Sequence, residues 1–287
     1  MFHPGIRYAT QHRYKPRVLT PLQLATDIKM RDRGVSFSER QQASGSVFQQ
    51  SAKFFALPLD YKLSLSRKEY RGYTPLYSEN LDPSSHPKEI LPDWRPTMES
   101  LIWKSLEVGK KLMSLIALSL NLDNDFFEKT ALNKPEAILR LLHYPGELGD
   151  EDLCGASAHS DYGMITFLVT DGVPGLQICK EKFKQPRVWE DVFHVEGAFI
   201  VNIGDLMERW TNGIYRSTLH RVIPTGKERY SVAFFLIPPS DCMIECFESC
   251  CSESSPPRFP PIRSGDYLNE RFMLTYGSEK ELKCSSN

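Results

Sequence analysis

GAFIVNIGDLMERWTNGIYRSTLHRVIPTGKERYSVAFFLIPP, residues 197–239, is the stretch whose reading decides the fold. It contains two short runs, AFIVNI (198–203) and YSVAFFLI (230–237), rich in Ile, Val, Phe and Tyr. Runs of this length bounded by Gly, Pro and Asp read as strands, because branched and aromatic side chains pack well on a pleated surface. Between them only the polar DLMERWTNG (205–213) breaks the texture, and it reads as a helical turn. Working back toward the N-terminus, ILRLLHY (138–144), MITFLVT (164–170) and LQIC (176–179) repeat the pattern. Short strands spaced by turns predict a sandwich or barrel. No internal repeat is present.

Upstream of Ala137 the texture is helical. Phe48, Ala52 and Phe55 share a face, which predicts a helix from Ser46 to Leu57 with Pro58 as its stop. LSLSRKEYRGYTPLY (63–77) reads as an extended or turning segment, and LDPSSHPKEILP (81–92) as loop. A long helix is expected from near Pro96 through TMESLIWKSLEVGKKLMSLIALSLNL (97–122), with Met98, Leu101, Val108, Leu112 and Leu115 as its buried stripe. A shorter helix is expected from Asp123 to Thr130. Residues 1–45 show no periodicity, so RDRGVSFSERQQASGS (31–46) reads as loop or frayed helix. After Pro238 come a Cys-rich segment, the Pro-rich SSPPRFPPIRSG (254–265), and a short helix in DYLNERFMLTYG (266–277) with Ser264 at its start. The expected organisation is an atypical N-terminal segment (1–45) followed by one domain (46–287). That domain divides into a helical part (46–134), a β core (135–240) and a C-terminal tail and helix (241–287). The fold class is mainly β with a helical layer: a distorted double-stranded β-helix, or jelly roll, packed against N-terminal helices, with room for a pocket between its sheets.

Composition narrows the function. Lys and Arg (35) nearly balance Asp and Glu (36) in 287 residues, which gives no support for a nucleic-acid partner. No apolar run is long enough to cross a bilayer. Seven cysteines, an odd number without a secretory leader, point to reduced thiols in a reducing compartment. The first 26 residues lack acids and carry Arg7, Arg13, Lys15 and Arg17, as an organelle transit peptide does. Pro4, Pro16 and Pro21 would interrupt the amphipathic helix such a peptide needs, so a plain basic N-terminus and a cytoplasmic monomer are expected.

The chemistry concentrates between His159 and Ser231. Residues two apart on a strand share a face, so His159 and Asp161 would present an imidazole and a carboxylate side by side. His220, from a distant strand, would complete a face of three. Two histidines and one carboxylate with open positions suit a non-heme iron(II) oxygenase better than zinc, which prefers tetrahedral closure. Arg229 and Ser231 are again two apart. Arginine grips a carboxylate with two parallel hydrogen bonds, and a serine hydroxyl adds a third, as a 2-oxo acid cosubstrate requires. Other residues are discounted. Cys242, Cys246, Cys250 and Cys251 lack the paired C-x2-C spacing of a structural zinc site. His143 and His194 read as packed or surface histidines, Asp205 as the cap of a helical turn, and Trp103 and Trp210 as packing residues.

The chain resembles the plant-type iron(II)/2-oxoglutarate-dependent dioxygenases of the isopenicillin N synthase-like branch. The resemblance rests on FFALPLDYK (54–62), RGYTPLYSENLDP (71–83), LRLLHYPG (139–146), GASAHSDYGMITFLVTDGVPGLQI (155–178), residues 197–222 and ERYSVAFFLIPP (228–239). It implies His159, Asp161 and His220 as iron ligands, and Tyr144, Arg229 and Ser231 as contacts of 2-oxoglutarate. Phe235 matches a position that lines the substrate pocket. It also implies a jelly roll, a small-molecule substrate in plant secondary metabolism, and O2 with ascorbate as reductant. The reaction would hydroxylate or desaturate the substrate and release succinate and CO2. Two stretches depart from the family pattern: the region before Phe54, and SSHPKEILPD (84–93), which is shorter than in relatives. A second reading therefore stands beside the first, a shortened metal-binding relative that acts as a binding protein with little turnover.

Overall fold

The computed structural model describes residues 37–65, 73, 91–146 and 155–276. The basic N-terminus, most of the 66–90 stretch and the extreme C-terminus lie outside them. Helix α1 (Phe37–Phe55) begins nine residues before the expected Ser46. Glu39, Arg40, Gln41, Gln42 and Ala43 are strong helix formers, and that propensity outweighs the missing apolar period. Pro58 does end α1, but it also opens a short helix that was not expected, α2 (Leu59–Ser64). A proline at a helix start loses no intrahelical hydrogen bond.

Helix α3 (Trp94–Ser119) carries Pro96 in its first turn, as expected. Its buried face is Met98, Ser105, Gly109, Leu112, Met113, Ile116 and Ala117. Of the expected stripe, Met98 and Leu112 are buried and Leu101 and Val108 pack against the core, but Leu115 is 61% exposed, and Trp103, expected to pack, is 69% exposed. The reason is close approach. A Cβ on Gly109 would already lie 3.0 Å from Leu236 Cδ2, so the small-residue face, not the most apolar one, meets the sheet. Helix α4 (Phe126–Thr130) then packs Phe127 against Trp210 and Phe247.

Two four-stranded antiparallel sheets follow. The major sheet has the order β1-β8-β3-β6, with β1 Glu136–Tyr144, β8 Arg229–Ile237, β3 Ile165–Thr170 and β6 Ile200–Ile203. The minor sheet has the order β2-β7-β4-β5, with β2 Ala156–His159, β7 Leu219–Val222, β4 Leu176–Cys179 and β5 Glu190–Asp191. This is the jelly roll. Register divides the major sheet into two faces, since directly paired residues point the same way. Leu139, Phe234, Phe167 and Val201 lie on one face and join the core under α3 and α4. Tyr144, Arg229, Ser231, Phe235, Thr166, Thr170 and Asn202 lie on the opposite, inner face. DLMERWTNG does contain a helical turn, α5 (Asp205–Trp210). The tail adds a two-stranded ribbon, β9 (Met243–Ile244) with β10 (Ile262–Arg263), and helix α6 (Ser264–Tyr276). Ser264 donates its hydroxyl to the Pro238 carbonyl and so ties α6 to the end of β8 rather than capping its own helix.

Candidate metal centre

Strands β2 and β7 pair so that His159 faces His220 directly, ring centroids 4.3 Å apart. Between Ala156 and His159 the register slips, and such a bulge re-aims the side chain that follows it. Each imidazole is oriented by its own backbone. His159 Nδ1 lies 2.7 Å from the Ser157 carbonyl, and His220 Nδ1 3.0 Å from the Thr218 carbonyl. A carbonyl only accepts, so both Nδ1 atoms carry the proton and both Nε2 lone pairs are left for a metal. Those Nε2 atoms sit 3.9 and 3.7 Å from Asp161 Oδ1. One ligand atom from each of the three residues falls within 4.8 Å of the others.

Asp161 arrives by a different route from the one expected. Strand β2 stops at His159, so strand alternation does not place the carboxylate beside it. Asp161 lies in the turn between β2 and β3, and the start of α5 holds that turn. Asp205 N–H donates to the Asp161 carbonyl (2.8 Å) and Leu206 N–H to the Gly163 carbonyl (3.1 Å). The approach is very close: a Cβ on Gly204 would meet the Gly163 carbonyl oxygen at 2.2 Å, and one on Gly163 the Leu236 carbonyl oxygen at 2.7 Å. Only glycine fits at either position without moving backbone.

The carboxylate is 6% exposed. Its Oδ2 accepts from Thr166 Oγ1 and Asn202 Nδ2, both at 2.7 Å, which turns Oδ1 toward the histidines. Thr166 and Asn202 were not singled out in the sequence. The available signal was a polar residue inside each of two otherwise apolar strand runs, MITFLVT and AFIVNI. Burial, the proximity of the His220 ring and the nearby Arg140 lower the His159 pKa, against the opposing pull of the Ser157 carbonyl and Asp161. The neutral imidazole is the form that binds metal.

A second cluster stands on the same inner face. Arg229 is 3% exposed and Ser231 2%. Alternation on β8 points them the same way, and Arg229 Nη1 donates to Ser231 Oγ at 3.2 Å. Arg229 Nε donates to the Val173 carbonyl at 3.2 Å. Tyr144, directly opposite Arg229 in the register, lays its ring 5.0 Å from the guanidinium carbon. No carboxylate of the described residues forms an ion pair with Arg229. A guanidinium buried without one is costly, by several kcal/mol after relaxation, and a carboxylate is the partner that offsets the cost. Phe235 lies farther along the same face, directly opposite Thr166.

The remaining sequence candidates fall elsewhere. His143 is on the outer face, stacked on Tyr230 at 4.6 Å and 2.8 Å from Glu228 Oε1. His194 Nδ1 is hydrogen-bonded to Thr170 Oγ1. Asp205 makes no side-chain cap, since Gly204 is the N-cap residue; its carboxylate instead accepts from the Tyr267 hydroxyl of α6. Trp210 is buried, as expected. Cys242, Cys246, Cys250 and Cys251 are free thiols.

Residues 135–238 match the 2OG-Fe(II) oxygenase superfamily. Among curated proteins, the chain is 38% identical over 272 residues to kihadalactone A synthase LFS of Citrus sinensis, covering 81% of this chain and 80% of that one. It is 35% identical over 269 residues to azadirone synthase LFS of Melia azedarach, covering 81% of each. Among solved structures, it resembles a full-length Neurospora crassa protein in complex with alpha-KG and 5-formyluracil. The TM-score is 0.71 at 30% identity, over 82% of this chain and 83% of that one.

Proposed function

The chain belongs to the 2OG-Fe(II) oxygenase superfamily and is an iron(II)- and 2-oxoglutarate-dependent dioxygenase of a small organic molecule, and from that premise we propose which residues carry the reaction. His159 Nε2, His220 Nε2 and Asp161 Oδ1 would hold the iron. Two nitrogens and one oxygen on one face, with no sulfur, suit iron(II) with open positions. Arg229, Ser231 and Tyr144 would hold 2-oxoglutarate, the guanidinium through a charge-assisted fork to a carboxylate. When bound, iron, 2-oxoglutarate and O2 together supply the oxidising power that removes hydrogen from the substrate, with succinate and CO2 released.

The chain's own part is orientation and exclusion of water. Thr166 and Asn202 fix the carboxylate that faces the histidines, and the Ser157 and Thr218 carbonyls fix the two rings. Ile138, Leu142, Leu168 and Ala233 line the inner face beside these groups, with Arg140 among them. In such surroundings fixed hydrogen bonds and charges act more strongly than in water. Phe235 would form part of the substrate wall.

The names of the relatives support a plant secondary metabolite as substrate, and the complex of the Neurospora crassa protein supports a pocket for a compact organic molecule. No helix of the described residues is long and apolar enough to cross a membrane. We take the enzyme to be a cytoplasmic monomer with ascorbate as reductant. The observation that carries this reading is the convergence of the two Nε2 atoms on Asp161 Oδ1. Purified protein supplied with iron(II), ascorbate and 2-oxoglutarate should form succinate, faster when a productive substrate is added and not at all with a chelator. Iron-loaded protein that releases no succinate above background with any candidate metabolite would instead be a metal-binding relative without turnover.

A further inference from the structure

Glu208, on α5, is 5% exposed and is not one of the three residues of the metal cluster. Its Oε2 accepts from Ser217 N–H (2.7 Å), Ser217 Oγ (2.7 Å) and Lys182 Nζ (2.5 Å), and Lys182 Nζ also donates to Ser217 Oγ at 2.7 Å. Burial works against its charged form, yet Lys182 and Ser217 outweigh it and hold the carboxyl below the ordinary glutamate range. Ser217 is itself buried, and the next residue, Thr218, supplies the carbonyl that orients His220. The other end of α5 donates Asp205 N–H to the carbonyl of Asp161. One six-residue helix therefore touches the backbone of Asp161 at its start and the segment carrying His220 through Glu208.

For packing alone, an apolar cluster serves as well as a buried ion pair, or better. Directional bonds to the backbone N–H and hydroxyl of one residue do something packing cannot: they fix where the next carbonyl lies. We propose that Glu208 is a positioning residue of the metal centre, setting through Ser217 and the Thr218 carbonyl the direction of His220 Nε2. Lys182 neutralises the buried carboxylate and completes the clip. This rests on the reading of His220 and Asp161 as metal ligands.

The test separates hydrogen bonding from charge. Lys182→Met with Glu208→Gln removes both charges and keeps an oxygen acceptor for Ser217, while Lys182→Met with Glu208→Leu keeps neither. Cobalt(II) affinity, the thermal midpoint of metal-free protein, and KM for 2-oxoglutarate are measured on each. The leucine pair should bind cobalt about 10–100-fold more weakly than the wild type, the range seen when groups that orient metal ligands are removed. Its midpoint should lie somewhat below that of the glutamine pair, because the buried Ser217 N–H is left without an acceptor, with KM for 2-oxoglutarate unchanged. The glutamine pair should recover affinity to within about 3-fold of the wild type, since it loses the charge but not the Ser217 acceptor. Equal, wild-type-like cobalt binding in both pairs would overturn the proposal. Should the leucine pair not fold, Ser217→Ala decides: about 3–10-fold weaker binding at an unchanged midpoint is expected for one lost hydrogen bond, and wild-type affinity overturns it. His220→Ala distinguishes the two layers of the reading. Cobalt binding that survives that change would refute the ligand assignment itself, whereas loss there with wild-type affinity in the leucine pair would refute only the role of Glu208.

Discussion

A His220→Ala protein is expected to leave purification without iron and to release no succinate, with His159→Ala behaving alike. The two rings are the nitrogen half of the cluster, each oriented by its Nδ1 bond to a backbone carbonyl, and no other His, Cys, Asp or Glu among the described residues joins it. Structural zinc bound by four ligands gives about 10–16 kcal/mol, or roughly 3 kcal/mol per ligand, so one lost imidazole should cost at least about 10²-fold in metal affinity. Turnover should fall further, because what iron remains would sit in altered geometry. The fold should survive, since β7 still pairs with β2 and β4 and the His220 side chain is 15% exposed. Metal content per chain, beside the thermal midpoint of metal-free protein, checks this. A variant that keeps its iron at the wild-type level would remove the basis of the site.

Arg229→Ala should bind iron as the wild type does and fail at the cosubstrate. Among the described residues, the buried guanidinium of the wild type meets Ser231, the Val173 carbonyl and the Tyr144 ring. Truncating one partner of a buried charge pair costs about 2–5 kcal/mol, so KM for 2-oxoglutarate should rise by about 30-fold or more. Arg229→Lys should fall between, because an ammonium keeps the charge and loses the fork. The ligand-free Arg229→Ala protein should be no less stable than the wild type, since a buried charge without a carboxylate has been removed. Differential scanning calorimetry with and without 2-oxoglutarate separates these effects: cosubstrate should raise the wild-type midpoint and leave that of Arg229→Ala unmoved. Equal stabilisation of both proteins would place the cosubstrate elsewhere.

Much of this was legible in the sequence, and unevenly so. The strands carrying Arg229, Ser231 and Thr166 were readable because β-branched and aromatic runs ended at Gly, Pro or Asp. Arg229 and Ser231 share a face for the reason expected, alternation on β8. His159 and Asp161 come together for another reason: the carboxylate is turned inward by the start of α5, through backbone contacts of Gly163 and Gly204 that no side-chain pattern reveals. The buried face of α3 was legible at Met98, Leu101, Val108 and Leu112 and missed at Leu115, because close packing selected Ser105, Gly109 and Ala117 instead. Thr166, Asn202 and Glu208 escaped notice because each acts through a side-chain hydrogen bond whose partner, from five to 41 residues away, lies on a different element or turn. Local periodicity carries no record of such pairs. Residues 84–90, whose shortness bears on the substrate wall, lie outside the described residues.

The most direct test of the central claim is a crystal structure of the protein soaked without oxygen in manganese(II) and 2-oxoglutarate, with the anomalous signal of the metal located. One peak should lie among His159 Nε2, His220 Nε2 and Asp161 Oδ1, at about 2.0–2.2 Å from each by the usual range for such ligands, with no fourth protein ligand and with a 2-oxoglutarate carboxylate against Arg229 and Ser231. A peak bound by other residues, or one closed off by a fourth protein ligand, would contradict it.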